Sequence, residues 1–211
     1  MADQDAPKPE KQIPPLRQRP CVVIDTETTG LDPKIHEVLE IAIVALDGTV
    51  LLNTKIKPVN IEAAHPKALE VNGYNEADWA NAPTFDETKD EIMAALKHKI
   101  LVGQNPHFDR SFIVEALDRC GVEKAYRKLS YHAIDTITLA WEHLAPCGLE
   151  RLNLDAICEF LGVPLDRESR HGALADAQAA RVVYLMTLRA TEELRLAWRQ
   201  RAKDLGLLTV D

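Results

Sequence analysis

The stretch Val22-Val23-Ile24-Asp25-Thr26-Glu27-Thr28-Thr29-Gly30-Leu31 begins apolar and then turns acidic. Cys21-Val22-Val23-Ile24 is a short apolar run of the kind that forms a fully buried strand. If that strand extends to Glu27, its period of two places Asp25 and Glu27 on one face, roughly 7 Å apart at Cα. Like charges held so close are costly unless something neutralises them. A hard divalent cation, Mg2+ or Mn2+, suits carboxylate oxygens and is the economical answer. The competing reading is a strand end whose acids are satisfied by solvent and nearby amides.

Outward from this stretch, Val38 to Leu46 reads as a second strand, Asp47-Gly48 as a turn, and Val50 to Ile56 as a third strand stopped by Pro58. A polar, turn-like region runs through Asn72-Gly73. Thr84 and Glu87 form a capping box for a helix over about 85–97, with Ile92 and Leu96 in its apolar stripe. Ile100 to Gly103 is a short strand, and Asp109 to Arg119 a helix ended by Gly121. A fifth strand around Tyr131 to Asp135 leads into a helix over about 136–144, and another helix covers 153–161. An alanine-rich helix starts near Ala173 and runs into the 190s. Strands and helices mixed along the chain with short connections imply an α/β domain with helices on a sheet.

With 211 residues, the chain is long enough for one well-cored domain and short for two. Residues 1–19, rich in Pro, Gln, Lys and Asp, read as a disordered tail, 20–200 as the folded domain and 201–211 as a C-terminal tail. No apolar run approaches the roughly 18 to 20 residues that cross a bilayer, and the first 20 residues do not read as a secretory signal. Cys21, Cys120, Cys147 and Cys158 lack CxxC spacing and read as buried free thiols, which points to a reducing, cytoplasmic compartment. The net charge of −8 resides almost wholly in residues 21–185, which hold 16 Lys/Arg and 26 Asp/Glu. Such a balance excludes dependence on a long basic groove. It is compatible with a protein that grips a few nucleotides through bound cations.

Two further motifs complete the pattern: Asn105-Pro106-His107-Phe108-Asp109-Arg110-Ser111-Phe112, and His171-Gly172-Ala173-Leu174-Ala175-Asp176. With the first stretch they lie in order, about 80 and 60 residues apart. Together they resemble the DnaQ-like, or DEDDh, exonucleases of the ribonuclease H-like superfamily, which include the proofreading epsilon subunits and domains of bacterial DNA polymerase III. The resemblance covers roughly residues 21–190. It implies a mixed five-stranded sheet with antiparallel first strands, flanked by helices, and hydrolysis of phosphodiesters from a 3' end. It assigns Asp25, Glu27, Asp109 and Asp176 to two divalent cations and His171 to the general base. The chemistry agrees: paired cations activate water and stabilise the leaving oxygen, and a histidine near its ordinary pKa can accept the water's proton. The expected substrate is a single-stranded DNA or RNA 3' end, with a DNA polymerase subunit as a candidate partner and no membrane. The rivals are an RNA-trimming enzyme of the ribonuclease T type and a non-catalytic module that keeps only the fold.

The same resemblance places Thr28, Thr29 and Leu31 against the terminal nucleotide, through backbone amides and an apolar side chain. Phe108 points away from Asp109 if its segment is extended, leaving nucleotide contact and core packing both open. His107 and Gln104 depart from common family residues, and neither is expected to touch the metal ligands. Asp135 reads as a helix cap rather than a ligand, and His132 and His143 have no partners at metal-ligand spacing. Trp141 and Trp198 fit helical packing positions, whereas Trp79, in a polar loop, is the candidate base-stacking residue.

Overall fold

In the computed structural model, which describes residues 18–164 and 172–190, β1 (Cys21–Thr28) is the central strand of a five-stranded sheet. It pairs antiparallel with β2 (Val38–Ala45), which pairs antiparallel with β3 (Val50–Lys55). On its other side β1 pairs parallel with β4 (Ile100–Gly103), and β4 pairs parallel with β5 (Ala133–Asp135). The order β3-β2-β1-β4-β5 is the mixed sheet with antiparallel first strands that the sequence led us to expect.

Alternation along β1 sends its side chains into two separate cores. Val22 and Ile24 pack with Ile92 and Leu96 of α3 (Phe85–Leu96) and with Phe112, Ile113 and Leu117 of α4 (Pro106–Arg119). Val23 points the other way, joining Ala42, Val44 and Val102 against Ala173, Ala177, Ala180 and Tyr184 of α7 (Ala173–Ala190). Those four helix positions recur at helical spacing, so one stripe meets the sheet, and three small alanines let the helix lie close. α5 (Thr136–His143) and α6 (Leu154–Leu161) flank α7 in a third cluster built on Ala140, Ile157 and Val183. A Cβ on Gly103 would stand 2.7 Å from the Ile24 carbonyl oxygen, so glycine permits β4 to end tight against β1. Among the described residues no helix is long and apolar enough to cross a membrane.

Several expectations need correcting. The region read as polar and turn-like through Asn72-Gly73 contains a short helix, α1 (Pro66–Val71), and Trp79, read as lying in a polar loop, ends a second, α2 (Glu76–Trp79). α1 has no buried residue and hence no apolar stripe to read; it is set by Pro66 at its first position and by the His65 ring, which accepts the Lys67 N–H. Trp79 is 3% exposed, its indole N–H donates to the Leu39 carbonyl at 2.9 Å, and the Lys55 ammonium sits over its ring. A buried, hydrogen-bonded indole is a packing residue, not a stacking platform. Trp141 is 63% exposed, so it does not pack as its helical position suggested. The second motif is helical from Pro106, so the extended geometry considered for Phe108 and Asp109 does not occur. All four cysteines are free, as expected, but only Cys158 is fully buried and Cys147 is exposed. Trp198, residues 1–17 of the N-terminal tail, the 201–211 tail and His171 lie outside the described residues.

Candidate metal centre

Beyond Val23, the α7-facing side of β1 carries Asp25 and Glu27. α7 meets them with Asp176, in its first turn. One carboxylate oxygen from each of the three lies within 4.8 Å of the others. Asp109 approaches from the opposite face of the sheet, in the first turn of α4. It is 3% exposed and accepts a 2.8 Å hydrogen bond from the Thr26 hydroxyl. The structure therefore brings three of the predicted acids into one cluster. The fourth lies beside them, anchored through the intervening strand residue.

The electrostatics follow from this crowding. Burial lifts the Asp25 carboxyl well above the ordinary carboxylate range, with the charges of Asp109, Glu27, Asp176 and Glu40 adding to it in that order. Glu27 is raised to about 8, by burial first and then by Asp176, Glu40 and Asp109. Burial raises Asp109 to about 7, opposed by the hydrogen bonds it accepts from Thr26 and from its own backbone. Acids in this state either hold protons or need a cation, and a divalent ion satisfies oxygen donors from several chains of atoms at once. The donor set thus fits a metal, being all hard carboxylate oxygen.

Sequence reasoning missed Glu40. It lies directly opposite Glu27 in the β1–β2 register, and its carboxylate accepts the Ala173 N–H at 3.4 Å, tying β2 to the start of α7. The signal was present as the one charged residue in Val38-Leu39-Glu40-Ile41-Ala42-Ile43-Val44-Ala45.

A cavity of about 610 Å3 borders the acids and includes Glu27, Thr28, Leu31, His65, Lys67 and Phe108 in its lining. Its size falls within the roughly 300–1,000 Å3 of small-ligand sites. Leu31 is 82% exposed at its mouth, and α1 forms the outer wall through Ala68 and Val71. The Thr28 hydroxyl is engaged with the Gly30 carbonyl at 2.6 Å. Thr29 is buried, its N–H donating to the Glu37 carbonyl and its hydroxyl accepting the Glu37 N–H. Asn72 closes the wall by donating to the Thr28 carbonyl. His65, Lys67 and Asn72 had no sequence signal as site residues, because the segment that carries them gave no helical pattern. His107 is exposed, and Gln104 donates to the Leu152 carbonyl and accepts from Thr136. Asp135 caps α5 through the Ile137 N–H and also accepts the Asn105 N–H, as a structural residue should.

The exonuclease family profile, RNase_T, matches residues 22–184. The PolC-type DNA polymerase III of Thermotoga maritima is 30% identical over 192 residues, which are 87% of this chain and 13% of that protein. The DNA polymerase III subunit epsilon of Haemophilus influenzae is 28% identical, over 82% of this chain and 68% of that one. The ribonuclease T of Shewanella baltica is 29% identical, over 74% and 76%. The chain therefore spans only a small part of the PolC-type relatives' length. Among solved structures, E. coli exonuclease I in complex with a dT13 oligonucleotide has a TM-score of 0.67 at 17% identity, over 85% of this chain and 42% of that chain. A zinc-bound exonuclease I complex with single-stranded DNA gives 0.68 at 18%, over 92% and 46%. At such identity the likeness is one of fold, the ribonuclease H-like α/β arrangement.

Proposed function

The chain belongs to the exonuclease family, and on that premise we propose that it removes nucleotides one at a time from the 3' end of a single strand, releasing 5'-monophosphates. The observation that carries this reading is the convergence of Asp25, Glu27 and Asp176 within 4.8 Å beside a nucleotide-sized cavity. Together with Asp109 they would hold two divalent cations, Mg2+ or Mn2+. Such ions, when bound, supply charge neutralisation at the phosphate and Lewis-acid activation. Thr26 fixes the orientation of Asp109 by its hydrogen bond. Leu31 and Phe108 give the terminal base and sugar apolar surface without reading the base's identity. His171 stands two residues before α7 begins and is assigned as the base that accepts the water's proton. Cytoplasmic location and association with a DNA polymerase belong to the same proposal, the latter by likeness to the epsilon subunit.

A module that kept only the fold would gain nothing from several mutually repelling, buried acids, so catalysis is favoured over simple binding. DNA is the proposed substrate. The second reading, trimming of RNA 3' ends, is favoured by the ribonuclease T likeness, which extends over 76% of that enzyme. Matched single-stranded DNA and RNA oligomers, digested with Mg2+ or Mn2+, separate the two: faster loss of DNA supports the first reading, and faster loss of RNA replaces it with the second. In the same assay His171→Ala should slow the chemical step about 10²- to 10⁴-fold. A loss smaller than tenfold would remove His171 as the general base.

A further inference from the structure

The molecule is acidic, yet one nine-residue stretch, 124–132, contains Lys124, Arg127, Lys128 and His132 and no Asp or Glu. Its sequence alternates buried anchors with outward residues. Ala125 and Leu129 are 0% and 4% exposed, packed into the core with Phe112, Ile113 and Leu117 of α4. Between and after them Tyr126 is 52% and Tyr131 73% exposed, while Lys124, Arg127 and Lys128 are also exposed. Two large aromatic surfaces left in water beside three cations are not explained by packing.

The stretch is held firmly. Arg110 donates from Nε to the Ser130 carbonyl and from Nη2 to the Tyr126 carbonyl, both at 2.8 Å. Arg127 Nε donates to the Tyr126 hydroxyl, with its guanidinium 5.4 Å from that ring's centroid, and the Tyr131 ring lies 4.1 Å from that of His132. The anchor also fixes the position of the stretch. Phe108 on the cavity wall, Asp109 beside the acids and Arg110 on this loop are consecutive residues at the start of α4. The surface therefore lies one arginine side chain's reach from the helix turn that borders the candidate catalytic centre.

We propose that residues 124–132 form a landing surface for the single strand upstream of the 3'-terminal nucleotide, with Tyr126 and Tyr131 stacking on bases and Lys124, Arg127 and Lys128 meeting phosphates. Aromatic faces interleaved with cations suit a single strand of any sequence, since every base has a π-face and every linkage a charge. The occupant is chosen by charge complementarity: a locally cationic, aromatic surface on an otherwise acidic protein selects a polyanion with exposed bases. This inference rests on the exonuclease reading for the direction of the strand.

The test compares two substrates of the full chain with Mn2+: a 5'-labelled single-stranded oligonucleotide of thirty residues, and the p-nitrophenyl ester of thymidine 5'-monophosphate, too small to leave the cavity. Binding of the labelled strand is followed separately by fluorescence anisotropy in Ca2+. Tyr126→Ala combined with Tyr131→Ala should weaken strand binding and raise its KM about tenfold or more. Arg127→Ala combined with Lys128→Ala should flatten the salt dependence of strand binding by about 1.4 in log–log slope. Turnover of the small ester should stay within twofold of wild type in both variants. Unchanged affinity and unchanged salt dependence in both would overturn the landing surface, whatever the hydrolytic activity. Weakened binding in the variants, from a wild type that hydrolyses neither substrate, would uphold the surface and overturn the exonuclease reading instead.

Discussion

The two faces of β1 are built from alternate residues of one eight-residue strand, and they are opposites in purpose. On one, Val22 and Ile24 are fully buried among α3 and α4 side chains, each contributing on the order of 1.5–3 kcal/mol by leaving water. On the other, Cys21 and Val23 pack; Asp25 and Glu27 then crowd Asp176 at a cost in desolvation and repulsion. The first face makes the strand rigid, and rigidity lets the second hold like charges together that would otherwise move apart. Thr26 joins the two. It projects with Val22 and Ile24 toward α4, where its hydroxyl holds Asp109, the acid that reaches Asp25 and Glu27 from across the sheet.

The comparison is broken most severely on the acidic face. Asp25→Ala or Asp176→Ala should take hydrolysis of a single strand to the assay background while the fold survives, because each removes a repelling charge rather than a packing contact. Thr26→Val comes next. It keeps the shape but leaves Asp109 without its hydroxyl partner, and loss of such a supporting contact costs about 10- to 100-fold in metal affinity or activity. The Mn2+ concentration giving half-maximal rate should rise accordingly; an unchanged metal requirement would show that the Thr26 contact is incidental.

A smaller effect concerns stability. Without divalent ions the folded chain keeps protons on Glu27 up to about pH 8 and on Asp109 up to about pH 7. An unfolded chain releases its carboxyl protons near pH 4, so between these limits the folded state binds more protons. Stability in EDTA should therefore fall as pH rises from about 4 to about 8 and level off above that. Excess Mg2+ should restore the melting temperature at pH 8, where the sites are deprotonated and free to bind. A melting temperature in EDTA that rises over this range would contradict the charge assignment. The smallest functional effect is expected from the packing face: Ile24→Val should cost about 0.5–1.5 kcal/mol of stability and leave kcat within twofold at a temperature where the variant is folded.

What could be read beforehand divides along physical lines. The period-two alternation at Val23, Asp25 and Glu27, and the Thr84–Glu87 capping box that the structure reproduces in full, are local patterns, so a linear reading finds them. α1 was read as turn and α2 as loop because distant partners fix them: the His65 N–H donates to the Thr29 carbonyl, Asn72 to Thr28, and the Trp79 indole to Leu39, across 36 to 44 residues. Trp79 looked solvent-facing for the same reason; its neighbours in sequence are polar, and its burial is supplied by β2 and Lys55. The acids of the site were legible as three motifs in order, but the 83-residue link from Thr26 to Asp109 and the placement of Glu40 opposite Glu27 required the sheet register.

The most direct test of the account is the rate of mononucleotide release from the 3' end of a 5'-labelled single strand, followed as Mn2+ is raised from a chelated baseline, for wild type and Asp25→Ala side by side. The acidic face predicts a saturable, metal-dependent ladder shortening from the 3' end in wild type and a flat background at every Mn2+ concentration in Asp25→Ala. Wild-type rates in Asp25→Ala, or undiminished shortening with the metal chelated, would contradict it.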